Sequence, residues 1–402
     1  MKRVLLTFVA MVAFATCAMA QVVVQTPVKG ALGIRLYDKV VPRAEIILPQ
    51  VKGYNCYKAD FHIHTTYSDG RLNPAGRVIE AWSDGLDIIA ITDHYEGYRN
   101  VKKFFKVTAG FNADGQPTKY YSAFDSDCMK MDFNAIHDEA VAQRDKAGYE
   151  MLIIKGCEMA RNSKTHGHFN CLFVKDLNTL YNKDLALAFD NVHAQGGLVI
   201  HNHPSYTRTT TDKTEFHEQV YSAGKIDGVE VTNGYSFYPP IVRRCIEEKL
   251  TMFGCTDEHG ETARKYGMLG VYRTMTFVLA KELTEKAIKD AIMKRRTIAY
   301  SSGDLIGEEK LLADYLNAAV ECRLTKVDHE AGKRTFQLTN TTSIAYRLRR
   351  GKLVYELDPF RSVTITLGKD KETGKYIQPE FSVSNMWHVD YKHPLVKLEI
   401  DK

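Results

Sequence analysis

From about residue 57 to about residue 300, short apolar runs alternate with amphipathic segments. The β-branched runs predict seven strands, in "DFHIH", "LDIIAITDH", "EMLIIKGCE", "HFNCLFV", "GLVIHNH", "DGVEVTN" and "TMFGCTD". Helical spacing predicts helices in "NPAGRVIEAWSDG", "NAIHDEAVAQRDKAG", "LALAFDNVHAQGG" and "PPIVRRCIEEKL", several with Pro near the start or Gly after the end. Alternation of strand and helix is typical of parallel βα units. We therefore predict an α/β fold whose seven strands form a TIM-like barrel.

The pattern changes outside this region. Residues 97–132 are rich in aromatic residues, Lys and Gly and predict an inserted loop over the site. "KELTEKAIKDAIMKRR" predicts a last amphipathic helix. Beyond about residue 310, the alternation in "KRTFQLTNTT", "YRLRRGKLVYEL", "RSVTITLGK" and "KLEI" is typical of half-buried antiparallel strands. We predict a leader at 21–56, the α/β domain at 57–305 and a small, β-sandwich-like domain at 310–402.

The first twenty residues have the pattern of a signal peptide. Lys2 and Arg3 precede the apolar stretch "VLLTFVAMVAFA", and Ala18-Met19-Ala20 forms a small-x-small cleavage site. The apolar stretch is short for a membrane span, and no later segment is apolar enough to cross a membrane. We therefore predict cleavage after Ala20 and export of the mature protein, to a periplasm or to the outside of the cell.

Composition and charge narrow the classes of function. The chain has 402 residues and a formal net charge of +5, without a concentrated basic run, which argues against a dedicated nucleic-acid partner. Its eight cysteines show no CxxC pair, which argues against a thiolate zinc site, and seven remain after removal of Cys17. Cys157, Cys171 and Cys255 lie in strand-like runs, and we predict that they are buried and unpaired.

Candidate chemistry starts with "DFHIHTTYSDG" at residues 60–70. On a strand, His62 and His64 face the same way and can converge on one ion, although two surface histidines are a common alternative for an isolated HxH segment. Further His, Asp and Glu residues lie at the ends of the other predicted strands, at Asp93, His94, Glu158, His166, His168, His201, His203, Asp257 and His259. The carboxyl ends of barrel strands share one face, so we predict a metal centre there.

The ordered set "DFHIHTTYSDG", "ITDH", "GCE", "HFNCLF", "HNHP" and "GCTDEHG" resembles the polymerase and histidinol phosphatase (PHP) family over about residues 57–300. The resemblance implies a distorted seven-stranded β/α barrel, which holds a phosphoesterase centre with two or three metal ions. It implies three sets of ligands: His62, His64, Glu158 and Asp257 for the first ion; Glu158, His168 and His203 for the second; Asp69, His94 and His259 for the third.

Two further acidic residues fit supporting roles beside these ligands. Asp60 and Asp93 are candidates to accept imidazole N–H bonds that fix the ligand tautomers. A strand cap at Asp60 and a helix cap at Asp93 are the competing interpretations. Asp69 occupies a position where members of the family carry either His or Asp.

Four basic residues are candidates to contact the substrate. His166 and His201 each lie two residues before a proposed ligand, where they contact phosphate, protonate a leaving group or are merely solvated. Arg161 follows Glu158 closely, and Arg99 lies in the inserted loop; both are candidates to hold a phosphate.

Mixed imidazole and carboxylate ligands suit zinc, manganese or iron. The resemblance therefore predicts two or three such divalent ions and hydrolysis of a small-molecule phosphate ester by hydroxide held between the first two ions. Modest overall charge and the aromatic-rich loop favour a small organic phosphodiester, and export favours a scavenging role. We predict no membrane partner and no dedicated nucleic-acid partner, and the oligomeric state stays open. The alternatives are a phosphomonoesterase of the histidinol-phosphatase type, a metal-dependent C–N or ester hydrolase, and a non-enzymatic protein that binds through its C-terminal domain.

Overall fold

A computed structural model describes residues 42–95 and 132–401. The predicted signal peptide, its cleavage site, most of the leader and all but the last residue of the inserted loop at 97–132 lie outside the described residues. From Arg43 onward the chain belongs to one compact unit. Among the helices of the described ranges, none combines the length and the apolar character that crossing a bilayer requires.

The predicted strands of the first region are all present, together with four further ones. In chain order they are β1 (Asn55–Ile63), β2 (Ile88–Ile91), β3 (Leu152–Ala160), β4 (His168–Leu172), β5 (Leu198–His201), β6 (Gly228–Asn233), β7 (Ser236–Phe237), β8 (Thr251–Cys255), β9 (Met275–Ala280), β10 (Thr297–Ser301) and β11 (Asp304–Ile306). The C-terminal strands are β12 (Val320–Asp328), β13 (Lys333–Asn340), β14 (Tyr346–Arg350), β15 (Leu353–Leu357), β16 (Ser362–Leu367), β17 (Glu380–Val383), β18 (Met386–Trp387) and β19 (Leu395–Lys397).

Local sequence signals explain where the helices begin and end. They are α1 (Pro74–Ser83), α2 (Asn134–Ala147), α3 (Leu185–Ala194), α4 (Glu215–Ser222), α5 (Pro239–Glu247), α6 (Thr262–Lys265), α7 (Glu285–Met293) and α8 (Glu309–Ala319). The side chain of Asn73 accepts from the backbone N–H of Gly76 and caps α1, which has Pro74 in its first turn. Helix α2 ends at Gly148, whose φ of 67° is costly for residues with a Cβ.

One large mixed sheet has the strand order β18-β11-β10-β9-β1-β2-β3-β4-β5-β6-β7, with β8 paired to β6. The pairs β1/β2, β2/β3, β5/β6 and β6/β8 are parallel. The prediction of parallel strands throughout is wrong for β4, which runs antiparallel to both β3 and β5. The connection between β3 and β4 is only residues 161–167, which is too short for the crossover that a parallel pair needs.

The reversed direction of β4 determines where its histidine lies. His168 begins β4 and pairs with Ala160 at the end of β3, while the next residue, Phe169, pairs with His201 at the end of β5. The start of β4 therefore shares an edge of the sheet with the carboxyl ends of its neighbours, and the candidate ligands of all three strands lie at that edge.

The sheet is curled, as in a half barrel. Beyond the end of β8, the backbone N–H of Asp257 donates to the carbonyl of His62 at 2.9 Å, and that of His64 donates to the carbonyl of Glu258 at 3.1 Å. These bonds bring the chain after β8 next to the end of β1. The mixed α/β fold is confirmed, but the large sheet has 12 strands, so the predicted count of seven is not.

The C-terminal residues form two smaller antiparallel sheets, β12-β13-β16 and β15-β14-β17-β19. Strand β18 leaves them and pairs with β11 in the large sheet. The hydrophobic core is continuous between the two regions: the ring of Tyr315 in α8 stacks on Phe277 of β9 and packs edge-on against Tyr346 of β14. The boundary predicted near residues 305–310 stays a prediction.

The cysteines of the described ranges are free thiols. Cys157, Cys171 and Cys255 are buried, as predicted from their strand-like surroundings. Their role is therefore one of packing in this structure.

Candidate metal centre

The structure brings all nine sequence-predicted ligands together. Their ligand atoms form four overlapping groups, within each of which every atom lies within 4.8 Å of the others. The groups are His62, His64 and Glu158; His62, His203 and Asp257; Glu158, His168 and His203; and His64, Asp69, His94 and His259.

The first two groups converge at the end of β1. The Nε2 atoms of His62 and His64 face each other at 3.1 Å, and Oδ1 of Asp257 lies 3.2 Å and 3.1 Å from them. Two ring nitrogens at this distance need a proton or a cation between them. A metal about 2.0–2.2 Å from each ligand holds neighbouring ligand atoms about 3.0–3.5 Å apart, so these residues fit a transition-metal ion.

Glu158 connects the groups because each of its oxygens faces several imidazoles. Its Oε1 lies 3.3 Å from Nε2 of His62, 3.4 Å from Nδ1 of His168 and 3.3 Å from Nε2 of His203. Its Oε2 lies 2.7 Å from Nδ1 of His94. A carboxylate between two sets of imidazoles has the position of a ligand shared by two ions.

The remaining group surrounds Asp69. Its Oδ1 lies 3.1 Å from Nε2 of His259, 3.6 Å from Nδ1 of His64 and 3.7 Å from Nε2 of His94. The rings of His64 and His259 stack with centroids 4.1 Å apart. His64 therefore lies between two groups, whereas the family resemblance implied a place for it only in the first.

Two ligand candidates sit on unusual backbone. His203 has φ of 23° and Asp257 has φ of 52°, in the left-handed region that residues with a Cβ rarely occupy. Such conformations cluster at functional sites, because surrounding contacts must hold them. Here the contacts are hydrogen bonds. The backbone N–H of His203 donates to Oε2 of Glu230, and the backbone N–H of Asp257 donates to the carbonyl of His62.

The charges of the centre shift the pKa values of its members. Burial opposes ionisation of Glu158 and Asp257, but the surrounding imidazoles hold both carboxyl pKa values well below the usual range. Burial also opposes protonation of His62, but Asp257, Glu230 and Glu158 raise its pKa well above normal. Burial and the charge of His94 lower the pKa of His64 to about 3. Protons and a metal cation therefore compete for the same atoms.

Asp60 does not have the predicted imidazole as its partner. Its Oδ2 accepts from Nη2 of Arg273 at 2.6 Å and from Oγ1 of Thr256 at 2.5 Å, and it is fully buried. Asp60 lies on the face of β1 that also carries His62 and His64, but a guanidinium group that enters from β9's N-terminal side occupies the acceptor. Its role is to anchor the start of the site through a buried ion pair.

Asp93 is connected to the ligand candidate His64 through the hydroxyl of Ser68. It accepts from the backbone N–H of Thr65 at 2.7 Å, from the Thr65 hydroxyl at 2.5 Å and from Oγ of Ser68 at 2.5 Å. Oγ of Ser68 lies 3.2 Å from Nδ1 of His64. The predicted direct bond to an imidazole is therefore replaced by a chain through Ser68.

The sequence analysis missed Glu230, a buried carboxylate in the middle of β6. Its Oε1 lies 2.8 Å from Nδ1 of His62, and its Oε2 accepts from the backbone N–H of His203 at 2.7 Å and from Nδ2 of Asn233 at 2.9 Å. The signal that was present is a single charge between Val229 and Val231 in an otherwise apolar strand. Such a residue requires a buried partner.

Asn202 was also missed, although it stands in the quoted segment "HNHP". Its Nδ2 donates to Oε1 of Glu158 and to Oδ1 of Asn170, both at 2.9 Å. The amide therefore orients the carboxylate that two of the four groups share.

Arg208 lines a small cavity beside the centre, together with Ser163, His168, His203 and Tyr206. Its Nη2 donates to the carbonyl of Asp212 at 2.6 Å. Its Nη1 is buried and makes no hydrogen bond with the described residues. A donor in this position suits an anionic oxygen placed next to His168 and His203.

The other predicted substrate residues are not among the ligand groups, although His201 lines the same small cavity as Arg208. His201 is buried, with Nδ1 2.7 Å from the hydroxyl of Tyr221 and its ring stacked on Phe169. Arg161 and His166 line a separate cleft, and Nη2 of Arg161 donates to the carbonyl of Asn182 at 3.0 Å. We call this the side cleft, and its lining includes Arg161, Asn162, His166, Lys183, Phe216 and Gln219. Arg99 lies outside the described residues.

A solved structure shares this architecture. It is a two-domain protein from Bacteroides vulgatus that contains a predicted PHP-like metal-dependent phosphoesterase, and it is 31% identical to this chain. The match covers 89% of this chain and 98% of that protein, with a TM-score of 0.76. The chain belongs to the PHP family of metal-dependent phosphoesterases. The sequence resemblance is thereby confirmed, and this PHP-family chain is a hydrolase of phosphoric esters.

More distant structures show less. A structure from Bifidobacterium adolescentis, assigned as a metal-dependent phosphoesterase, is 15% identical and covers 59% of this chain and 96% of its own, with a TM-score of 0.36. An amidohydrolase from Chromobacterium violaceum is 14% identical and covers 50% and 87%, with a TM-score of 0.34. No protein-family model matches the sequence, and no curated protein matches it.

Proposed function

We propose that this chain hydrolyses a small organic phosphodiester at a centre of two or three divalent ions. The observation that carries the proposal is the convergence of His64, Asp257 and Glu158 on His62, whose Nε2 lies 3.1–3.3 Å from a ligand atom of each of the other three. Divalent ions in such a site lower the pKa of a bound water and neutralise charge on phosphate oxygens.

The proposed ligand sets combine the family resemblance with the geometry. His62, His64, Glu158 and Asp257 would hold one ion, and Glu158 would also serve a second site with His168 and His203. Asp69, His94 and His259 would hold a third, with His64 placed to contribute from its Nδ1 side. Imidazole and carboxylate together suit zinc, manganese or iron.

The protein's own groups fix this arrangement before substrate arrives. Glu230 accepts from Nδ1 of His62 and so directs its Nε2 towards the centre, and Asn202 holds one oxygen of Glu158. Arg208 places a guanidinium nitrogen beside His168 and His203, where it binds a non-bridging phosphate oxygen. Preorganised donors of this kind need no rearrangement during the reaction.

The supply of cations favours a diester over a monoester. Lys265 is paired with Glu258 at 3.3 Å, and Arg273 is buried against Asp60 at 2.6 Å, so each of these charges already faces a carboxylate. Among the described residues, Arg208 is the guanidinium group that lines the cavity at the cluster. A monoester dianion has one more negative charge than a diester and calls for more cationic donors.

The proposal is tested with protein purified without chelator and analysed for bound metal. Its turnover is measured against a diester, bis(4-nitrophenyl) phosphate, a monoester, 4-nitrophenyl phosphate, and an amide, 4-nitroacetanilide. We expect zinc, manganese or iron in the sample and a higher kcat/KM for the diester. A higher kcat/KM for the monoester, or turnover restricted to the amide, would contradict the proposal.

The location and domain roles are also proposals. The charged start at Lys2 and Arg3 and the site before Gln21 support export after cleavage at Ala20. A scavenging phosphoesterase outside the cytoplasm fits a small-molecule substrate. We assign the chemistry to residues 57–305, and residues 310–402 support it by adding β18 to the large sheet. Mass spectrometry of the mature N-terminus in a bacterial host tests cleavage, with Gln21 as the expected first residue.

A further inference from the structure

An exposed aromatic ring lies beside two of the ligand candidates. The ring centroid of Tyr206 is 5.0 Å from that of His203 and 5.4 Å from that of His168. The tyrosine is 53% exposed, whereas the side chains of His203 and His168 are 8% and 11% exposed. The phenol ring therefore contacts the edge of the centre, while about half of the tyrosine's surface stays open to a ligand.

Two consecutive turns hold Tyr206 in this position. The backbone N–H of Tyr206 donates to the carbonyl of His203 at 2.8 Å, and that of Arg208 donates to the carbonyl of Ser205 at 2.9 Å. Between them, Thr207 has φ of 58°, in the left-handed region that residues with a Cβ rarely occupy. The backbone therefore places the ring beside the centre before any ligand binds.

The same segment brings a guanidinium group next to the ring. Tyr206 and Arg208 line the small cavity beside the centre, together with His168 and His203. Nη1 of Arg208 is buried and makes no hydrogen bond with the described residues. One short segment thus offers a donor for a phosphate oxygen and, within the same cavity, an aromatic surface for the group that the phosphate carries.

Contact with ligand candidates distinguishes Tyr206 from another exposed tyrosine. Tyr235 is 47% exposed, but its ring packs against Tyr266 with centroids 5.1 Å apart. Its hydroxyl donates to the carbonyl of Lys265 at 2.5 Å. These contacts involve no ligand candidate, so the exposed surface of Tyr235 gives no reason to place a substrate there.

The position of the phenol ring favours one kind of organic group. Aromatic rings attract one another in offset-stacked or edge-on pairs with centroids about 4.5–7 Å apart. A phosphate bound beside His168 and His203 has Tyr206 next to it, so an aromatic ring joined to that phosphate directly or through one carbon reaches the phenol ring. A flexible alkyl chain gains less, because it must be ordered and has no π-system.

We propose that Tyr206 selects phosphate esters whose organic part carries an aromatic ring, which stacks on the exposed surface of the tyrosine. This inference rests on the proposed function, because it assigns a substrate class to the same centre. Arg208 binds a phosphate oxygen, and Tyr206 binds the ring that the phosphate carries, so the two side chains recognise adjacent parts of one molecule.

Matched diesters test the inference by turnover. Benzyl methyl phosphate and cyclohexylmethyl methyl phosphate differ in whether the ring is aromatic, and phosphorus NMR follows their hydrolysis. We expect kcat/KM about fivefold higher for the benzyl ester, mainly through KM, as for one aromatic pair. Tyr206→Phe keeps this ratio and Tyr206→Leu removes it, while Tyr391→Leu, at a tyrosine that is 62% exposed, leaves it unchanged. A ratio below about twofold in the wild type, or one unaffected by Tyr206→Leu, overturns the inference.

Metal content separates selection of substrate from a structural role of the ring. We expect a normal ratio of metal to protein in Tyr206→Leu and a loss of turnover confined to the benzyl ester. A ring that only covers the imidazoles of His168 and His203 predicts a different result. Loss of bound metal with equal slowing of both esters would show that role and overturn the inference.

A binding measurement separates this inference from the proposed reaction. Calorimetry on metal-loaded protein compares benzylphosphonate with cyclohexylmethylphosphonate, neither of which has a phosphoester bond to hydrolyse. Tighter binding of benzylphosphonate that is lost in Tyr206→Leu supports the role of Tyr206 even if no diester is turned over. Equal affinity for the two phosphonates contradicts that role, even if diesters are hydrolysed efficiently.

Discussion

Glu230 offers a sharp test of how the centre is held, because it touches ligands without being one of the predicted set. The carboxylate is fully buried and accepts from three donors: Nδ1 of His62 at 2.8 Å, the backbone N–H of His203 at 2.7 Å and Nδ2 of Asn233 at 2.9 Å. Glu230→Gln keeps the shape of the side chain but replaces one acceptor oxygen with an NH₂ group. That group must then face at least one of the three donors.

The loss can be estimated from these contacts. A hydrogen bond to a charged acceptor contributes about 1.5–3 kcal/mol, so one donor left facing another costs at least about 2 kcal/mol. That free energy corresponds to roughly a 30-fold weaker metal affinity if it falls on the bound state. The range agrees with the roughly 10–100-fold losses seen when partners of metal ligands are removed. We therefore expect metal affinity and kcat/KM to fall together.

The assay is a metal titration against a competing chelator, with diester turnover measured on the same samples. Circular dichroism verifies that the variant is folded, and Glu321→Gln, on the exposed side of β12, serves as the matched control. Metal affinity within twofold of wild type in a folded Glu230→Gln variant would show that His62 is oriented without Glu230.

Three other predictions follow from the geometry. Glu158→Gln is expected to lower turnover at least about 100-fold and to reduce the amount of bound metal. The reason is that removing a residue that merely supports a metal ligand already lowers activity or metal affinity by up to about 100-fold. A normal ratio of metal to protein in the variant would refute the shared role of Glu158. Arg273→Met leaves the buried carboxylate of Asp60 unpaired and is expected to lower the free energy of unfolding by about 3–5 kcal/mol, measured by urea denaturation. The exposed Arg243→Met serves as the control and is expected to leave that free energy nearly unchanged. Burial lowers the pKa of His217 to about 4, below its value of about 6.5 in the unfolded chain. The neutral imidazole therefore contributes fully to the free energy of unfolding above about pH 6.5, and up to about 3 kcal/mol of that free energy is lost as the pH falls towards 4. If His217→Gln leaves the pH dependence of the free energy of unfolding unchanged in this window, the prediction is wrong.

The local pattern of the chain located most elements. Asn73 before Pro74 and Gly148 after Ala147 mark helix ends with groups that satisfy or terminate the backbone within a few residues. The seven predicted strands of the first region are present for the same reason: their apolar runs are buried and their ends carry polar residues. Signals of this kind act between neighbours in sequence, so they are visible without the fold.

The order of the ligand segments gave the family, and the structure brought the same residues together. His62 and His64 are two apart and point to one site by strand geometry alone. Asp257 and Glu158 come from distant segments, and their place beside these histidines depended on the resemblance until the sheet was seen to curl.

Tertiary structure alone decided which groups support the centre. Asp60 and Arg273 are 213 residues apart, and nothing near either residue shows that a guanidinium would displace the expected imidazole. Glu230 had a visible signal as a charge in an apolar strand, but only the sheet brings it 2.8 Å from His62. Its partner is set by strand order, which local propensity does not encode.

By itself, then, the sequence determined the kinds of element, the set of residues with ligand chemistry and the family. The direction of β4, the return of β18 to the large sheet and the position of the side cleft were decided only in three dimensions. The physical reason is the sequence separation over which each interaction acts. Caps, turns and periodicity involve residues that are close in sequence, whereas strand pairing and buried ion pairs depend on which distant segments pack against each other in the core.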